Sequence, residues 1–335
     1  MSVSAPTSSR IDWLLFVLLG FFWGSSYLFI KIGVDAGLAP FTLVALRLLI
    51  GGVLLAAVVA VAREPLPREA RTYGHLITLG FFSVALPFAL ITWAERSVDS
   101  ALAATLTSAV PLFVIPIAAV MLVDDRVTLN KVVGVSIGMA GVVLLVGFDP
   151  AQLGKADLTP ELALIGAALS YALGGVYARR FVHGLRPMIP ALFQVLFAMI
   201  MSAVAAFAFE DPLGEVLSVP FEAFVAVAWL GLIGSGIAYL LFYRLLGRWG
   251  PTRTSLVAYL LPVWGIALGW LVLHEQISSG LVLGTALVIG GIALVNVNRA
   301  GLSSAADSVR SRLPARLGGR SVAAPATVDP GPGPR

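Results

Sequence analysis

Ten long apolar segments separated by short polar loops constrain the fold of this chain more than any other feature of its sequence. Each segment has about 17–24 residues, close to the roughly 20 with which a helix crosses a hydrocarbon core of about 30 Å. Because backbone amides find no water in lipid, each segment is expected to form an α-helix. The sequence therefore predicts an all-α integral membrane protein with ten transmembrane helices. The segments lie near residues 13–33, 40–62, 76–93, 100–123, 132–148, 162–178, 188–209, 223–243, 251–273 and 280–297.

The composition excludes several other classes of protein. Of the 335 residues, 59% are hydrophobic and 12% are charged, against roughly 45–50% and 25% in a soluble domain. The absence of cysteine excludes disulfides and cysteine chemistry. The net charge of +4 comes from basic residues spread over short loops, so nucleic-acid binding is not expected. The sequence has no nucleotide-binding loop, zinc-protease helix or nucleophile elbow. We therefore expect no enzymatic activity, cofactor or metal.

The basic residues predict how the ten segments are oriented. With both termini in the cytoplasm, 18 of the 22 Lys and Arg residues lie on the inner side, three on the outer side and one inside a segment. This asymmetry follows the positive-inside rule. Abundant arginine and alanine are typical of bacterial genomes rich in G and C, so we expect a multi-pass protein of a bacterial cytoplasmic membrane. Residues 1–12 are then a cytoplasmic N-terminus and residues 300–335 a disordered tail, whose arginines either stay solvated or contact anionic lipid headgroups.

The chain contains an internal repeat. Residues 13–160 and 161–299 form two units of five segments, and matching positions are about 150 residues apart. Since five is an odd number, the second unit must cross the membrane in the opposite sense to the first. Inverted repeats are recurrent in secondary transporters, whose substrate sites lie near the bilayer midplane between the repeats. The aligned pairs include Trp23 with Tyr171, Pro111 with Pro262, Asp125 with Glu275, Gly134 with Gly284 and Gly141 with Gly291.

Several motifs are similar to those of one transporter family. They are WGSSYLFIKIG in the first segment, ALRLL in the second, and two proline-centred segments that end in VDDRVT and LHEQIS before a glycine-rich helix. On these motifs the chain resembles the EamA-type branch of the drug/metabolite transporter superfamily over residues 13–298. The resemblance implies a central cavity formed mainly by helices 1–4 and 6–9. It also implies export of amino acids, other metabolites or drugs.

Arg47 is a candidate for substrate binding because it is the only ionisable residue well inside a segment. A charge at the bilayer centre costs about 2.5–3.5 kcal/mol on insertion scales, so a mid-helix arginine is expected to face a cavity or a partner. The alternative is that its long side chain reaches the outer interface.

Other polar and aromatic residues near the segment centres are further candidates. Aromatic faces can cover an organic solute while hydroxyls and amides orient it, and the same residues are equally suited to helix packing. Pro111 and Pro262 are candidate hinges or simply shape the packing. Glycine pairs four residues apart, such as Gly134 and Gly138, favour packing within one chain over dimer formation, and we expect a monomer or a homodimer. The candidates, besides Arg47, are Trp23, Ser26, Tyr27, Thr107, Ser108, Ser170, Tyr171, Gln194 and Tyr259.

We interpret the chain as a secondary transporter whose partners are a small organic solute and the membrane lipids. It is expected to export amino acids or related small metabolites by alternating access. A multidrug-type efflux carrier is one alternative, and a membrane enzyme acting on lipid-like substrates is an alternative from another class. Every carboxylate and histidine lies at a segment end or in a loop. The sequence therefore leaves the coupling ion open, along with the substrate and the direction of transport.

Overall fold

The computed structural model describes residues 10–122, 128–146, 157–182 and 184–296. Asp124, Asp125 and the predicted tail lie outside these residues. All regular secondary structure in the described part is helical. The α-helices are α1 Arg10–Asp35, α2 Pro40–Val61, α3 Ala70–Gly80, α4 Leu86–Ala94, α5 Ser100–Thr107, α6 Val110–Met121, α7 Leu129–Leu145, α8 Thr159–Phe181, α9 Met188–Phe209, α10 Pro212–Ser218, α11 Phe221–Ala228, α12 Ala238–Thr254, α13 Leu260–Leu273 and α14 Ser279–Asn296.

Eight helical stretches of the described residues are long and apolar enough to cross a membrane. Two shorter apolar helices, α7 and α14, occupy the places of the fifth and tenth predicted segments. Each predicted segment thus overlaps a helix of the described residues. The eight longer stretches are Arg10–Asp35, Pro40–Val61, Ala70–Ala94, Ser100–Met121, Thr159–Phe181, Met188–Phe209, Phe221–Trp249 and Leu256–Leu273.

The loop predicted between the eighth and ninth segments is wrong, because α12 continues as a helix to Thr254. Leu245 in this stretch is fully buried and packs with Phe16 and Leu19 of α1. The ring of Trp249 lies 5.6 Å from the ring of Phe16. These apolar contacts bury one face of residues 244–249, so the helix continues where the sequence places several arginines.

Four interruptions divide the long helices of the described residues, two in each half of the chain. A π-helix, π1 (Phe81–Ala85), separates α3 from α4, and a second, π2 (Trp229–Ile237), separates α11 from α12. The α5–α6 helix breaks just before Pro111, and a 3-10 helix lies just before α13, which contains Pro262. Proline lacks an amide hydrogen and fits the first turn of a helix. The two candidate hinges therefore lie where regular α-helix resumes.

Glycines let several helices approach each other closely within the chain. A methyl group at Gly134 would lie 2.6 Å from the carbonyl oxygen of Gly291, so α7 packs directly on α14. A methyl group at Gly24 would lie 2.6 Å from the Cβ of Trp264, which places α1 against α13. Small residues at such positions allow the close backbone contact that stabilises helix pairs in lipid.

Contacts at the helix ends join loops that the charge pattern predicts on the same side of the membrane. On the predicted outer side, Glu210 accepts from two backbone amides in the first turn of α2, at 2.9 and 2.7 Å. Glu275 likewise accepts from the first two amides of α5, at 2.8 and 3.1 Å. On the predicted inner side, Arg186 forms an ion pair with Glu64 at 2.8 Å. Two carboxylates at segment ends thus stabilise helix N-termini, where unpaired amides carry partial positive charge.

Candidate binding site around a buried arginine

Arg47 lies in α2 and turns its side chain into the helix bundle, with 3% of its surface exposed. Its Nε donates to the Oγ of Ser235 in π2, at 3.3 Å. The guanidinium carbon lies 4.3 Å from the ring centre of Phe88 in α4, a position in which the ring face attracts a cation. Within the described residues no carboxylate forms an ion pair with Arg47. A buried cation of this kind is stabilised when an anionic ligand supplies the missing charge.

Three tyrosines surround the guanidinium within electrostatic range: Tyr27 in α1, Tyr171 in α8 and Tyr239 in α12. The hydroxyl of Tyr27 lies 2.6 Å from the Oγ1 of Thr107. Because the Thr107 hydroxyl itself donates to a backbone carbonyl one turn earlier, at 2.7 Å, Tyr27 is the donor to Thr107. The arrangement brings residues of α1, α8 and α12 near one side chain of α2, and Thr107 of α5 holds one of them, Tyr27.

The backbone of π2 approaches the guanidinium closely at Gly234. A methyl group at Gly234 would lie 2.9 Å from the Oγ of Ser26 and 3.4 Å from an Nη of Arg47. The hydroxyl of Ser26 donates to the carbonyl of Phe22 at 3.1 Å, which leaves its oxygen lone pairs directed elsewhere. Ser26, Gly234 and Arg47 therefore meet at one point, although they belong to three different helices.

The aligned residues Trp23 and Tyr171 both pack against aromatic neighbours of Arg47. The ring of Trp23 lies 6.2 Å from that of Tyr239, in an edge-to-face arrangement. The ring of Tyr171 lies 6.5 Å from that of Phe88, also edge to face. Trp23 and Tyr171 are half-buried. Trp23, through Tyr239, and Tyr171, through Phe88, therefore form an outer layer of aromatic side chains around Arg47.

Other candidates make contacts that account for their burial without Arg47. Ser170 donates to a carbonyl oxygen of π1 at 2.8 Å, and Ser108 donates to a carbonyl oxygen of its own helix at 2.7 Å. Gln194 is buried and forms a hydrogen bond with Tyr243. Tyr259 is half-buried and packs against the apolar cluster that contains Tyr27. The hydroxyls of Ser108 and Ser170 thus bind backbone carbonyl oxygens beside helix interruptions and stabilise the local helix structure.

Sequence reasoning missed Ser235, Phe88 and Tyr239, which contact or surround Arg47. Phe88 is one apolar residue among many in its segment, and its position gives no sign that it faces the guanidinium. Ser235 lies in the tract WLGLIGSGI, whose glycines and serine are a usable signal. The two π-helices are a second signal, visible only in the structure, since such segments are frequent at functional sites. Both signals become specific only once the helices are placed in space.

This arrangement can bind a carboxylate beside a flat or apolar group. The Nε of Arg47 donates to Ser235, which leaves both Nη groups to donate to the two oxygens of one carboxylate. Tyrosine hydroxyls supply further polar contacts, and the rings of Phe88 and Trp23 supply apolar area. In the part of the chain that the structure describes, no group of three or more His, Asp or Glu residues could hold a metal ion.

Comparison with known proteins places these features in a wider group. The sequence model of a family described as "EamA-like transporter family" matches residues 11–147 and 158–297 of this chain. An uncharacterized transporter of Bacillus subtilis, YoaV, is 24% identical over 81% of this chain and 91% of its own. An uncharacterized inner membrane transporter of Escherichia coli, YedA, is 29% identical over 83% of this chain and 88% of its own.

Two further similarities are informative. A protein of Escherichia coli named "Probable amino-acid metabolite efflux pump" is 25% identical, covering 85% of this chain and 94% of its own. A solved crystal structure superposes with a TM-score of 0.62 at 25% identity and covers 86% of this chain and 98% of that one.

Proposed function

Since this chain belongs to the EamA-like transporter family, we propose that it exports amino acids or related small organic metabolites across the cytoplasmic membrane. The observation that carries the proposal is the buried guanidinium of Arg47, enclosed by aromatic side chains and lacking a carboxylate partner among the described residues. A carboxylate is common to all amino acids and to many metabolites derived from them. The name of the Escherichia coli efflux pump agrees with this substrate class.

The proposed architecture is ten transmembrane helices in two inverted repeats. It is supported by the interruptions in the two halves, since π1 and π2 are about 148 residues apart and Pro111 and Pro262 each follow a helix break. Repeats related by an axis in the membrane plane can exchange conformations, which opens a central site to each side in turn. Alternating access follows from this symmetry.

The proposed orientation places both termini in the cytoplasm. The charge asymmetry supports it through the positive-inside rule. The ion pair between Arg186 and Glu64 and the caps formed by Glu210 and Glu275 support the alternation of the loops between the two sides of the membrane. Each of these contacts joins loops that the ten-segment alternation assigns to one side.

A comparison of cells tests the proposed substrate class. Cells that produce the protein, the Arg47→Ala variant or a control Arg68→Ala variant would be compared by untargeted metabolite analysis of cytoplasm and medium. Arg68 is an exposed loop residue, so its variant controls for the loss of one positive charge. We expect at least one amino acid or amino-acid derivative to move to the medium with wild type and Arg68→Ala but not with Arg47→Ala.

Two outcomes count against the proposal. Export of bulky cations that lack a carboxylate, with no change in amino acids, would favour a multidrug-type carrier. Identical metabolite profiles with wild type and Arg47→Ala, at equal amounts of folded protein in the membrane, would remove Arg47 from the binding site.

A further inference from the structure

Glu95 is a fully buried carboxyl group outside the site around Arg47. It directly follows the helical stretch Ala70–Ala94, and none of its surface is exposed. Neither carboxylate oxygen has a hydrogen-bond partner among the described residues, and the hydroxyls of Thr92 and Ser100 nearby in the chain are likewise buried without one. An ionised carboxylate without a partner is so unfavourable in a protein interior that the group takes up a proton instead.

The charged neighbours of Glu95 do not neutralise its carboxylate. Lys31 uses its ammonium group to bind the backbone carbonyl of Glu95 at 2.9 Å and the carboxylate of Asp35 at 3.1 Å. Glu275, in the same region, accepts from the two amides that begin α5. The other groups within electrostatic range are Arg47 and Tyr27.

The balance of these effects favours the protonated form of Glu95. Burial raises the pKa of its carboxyl group well above the usual range, and the negative charge of Glu275 adds to the rise. Lys31 and Arg47 act in the opposite direction, and Asp35 adds a smaller rise. A metal cation such as sodium would keep its charge at Glu95 and would be repelled by the ammonium group of Lys31. A proton instead forms a covalent bond to the carboxylate and leaves a neutral group.

A polar cleft lies next to Glu95 at the predicted outer surface. It has a volume of ≈ 500 Å³ and is lined by Lys31, Asp35, Asp99, Leu273, His274, Glu275 and Gln276. Two of these lining residues, Lys31 and Glu275, are also the neighbours of Glu95 described above. Glu95 is also within electrostatic range of Arg47. Glu95 therefore has charged neighbours both at the cleft and in the candidate substrate site.

We propose that Glu95 is a proton-binding site through which solute export is coupled to proton entry. A hydronium ion in the water of the cleft gives its proton to a carboxylate oxygen of Glu95, which leaves a water molecule and a neutral carboxylic acid. When the carrier opens inward, the same O–H bond breaks and the proton passes to cytoplasmic water. The solute moves outward in the opposite half of the cycle. The coupling depends on the proposed export function, while the proton site itself depends only on the burial and surroundings of Glu95.

Infrared spectroscopy tests the proton site without any transported solute. Purified wild type in lipid vesicles should show the C=O stretch of a protonated carboxylic acid at neutral pH, and this band should disappear as pH is raised. The band should be absent from Glu95→Gln and present in Glu222→Gln, which removes an exposed carboxylate elsewhere on the predicted outer side. A wild-type spectrum without such a band, or a band that sodium removes at constant pH, would overturn the proposal even if the Glu95 variant failed to fold.

Proteoliposomes test the coupling. Vesicles loaded with a mixture of the standard amino acids would be compared with and without an imposed proton gradient. The gradient drives protons into the vesicle lumen, which holds the amino acids. Exchange of labelled for unlabelled amino acid at equal pH needs no net proton movement, so it should persist in Glu95→Gln. Stimulation of net efflux by the gradient should be seen with wild type and Glu222→Gln and should be lost in Glu95→Gln.

The two assays separate the possible failures. If no amino acid is exchanged by any form of the protein, the proposed function fails, and the infrared band still decides whether Glu95 binds a proton. If exchange occurs and the gradient stimulates efflux equally in wild type and Glu95→Gln, the coupling role of Glu95 is refuted.

Discussion

Replacing Arg47 by lysine keeps a positive charge in the bundle and removes the planar fork of the guanidinium. In the structure Nε donates to Ser235 at 3.3 Å, and the guanidinium carbon lies over the ring of Phe88 at 4.3 Å. A lysine ammonium offers a single compact cation on a flexible chain and cannot make both contacts while also binding a carboxylate through two donors.

The expected loss of affinity in Arg47→Lys follows from the number of hydrogen-bond donors that each side chain offers to a carboxylate. With Nε held by Ser235, the two Nη groups can contact both oxygens of a carboxylate, whereas lysine can make one such contact. One charge-assisted hydrogen bond contributes about 1.5–3 kcal/mol. Its loss should weaken the apparent affinity for an amino acid about 10- to 150-fold. Ser235→Ala leaves the guanidinium in place but removes its anchor, worth about 1 kcal/mol, so about a fivefold loss is expected.

The assay is the concentration dependence of solute exchange in proteoliposomes that contain wild type, Arg47→Lys, Ser235→Ala or the exposed control Arg68→Lys. We expect wild type and Arg68→Lys to have the same, lowest half-saturating concentration. The value should be higher for Ser235→Ala and highest for Arg47→Lys. The reasoning is refuted by an Arg47→Lys carrier that is half-saturated at the wild-type concentration, because the guanidinium would then contribute nothing specific to the solute.

Three further predictions test the topology and the surroundings of the site. A cysteine at the exposed Ser218 should react with an impermeant thiol reagent in intact cells, and one at the exposed Ala62 should react only after the membrane is opened; reaction of both from outside contradicts ten spans. Trp23→Ala and Tyr171→Ala should weaken solute affinity by similar amounts, since each removes about 150–250 Å² of aromatic surface; a loss of about 3–5 kcal/mol in stability with unchanged affinity would assign both to packing. Gly234→Ala places a methyl group 2.9 Å from the Oγ of Ser26 and 3.4 Å from the guanidinium and should lower exchange at least about tenfold; wild-type exchange would show that Gly234 does not border the bound solute.

The helices could be predicted from the sequence because the length of an apolar run is set by the thickness of the bilayer. The contacts among them could not. Arg47 is recognisable as unusual in sequence. Its partner Ser235 comes from a segment 188 residues further along the chain, and its partner Phe88 resembles its apolar neighbours. Most segments are apolar on all sides, so no periodicity distinguishes a side facing lipid from one facing a cavity.

Two features that the sequence did not reveal have local physical causes. Glu95 lies at the end of its segment, as its position in the sequence predicts, but its burial is visible only in the structure. The structure buries it because Lys31 binds its backbone carbonyl and because α5, whose first turn is capped by Glu275, follows within a few residues. The π-helices have no simple sequence signature. In π2, a methyl group at Gly231 would lie 2.6 Å from Ile50, so close packing against α2 accompanies the widened turn.

The most direct test of the account is solute counterflow with the purified protein. Proteoliposomes loaded with an unlabelled amino acid would be diluted into a trace of the same amino acid in labelled form, for each standard amino acid in turn. The account predicts transient accumulation of label for at least one amino acid with wild type, and none with Arg47→Ala. Folded wild-type protein that accumulates no labelled amino acid, or equal accumulation with Arg47→Ala, would contradict it.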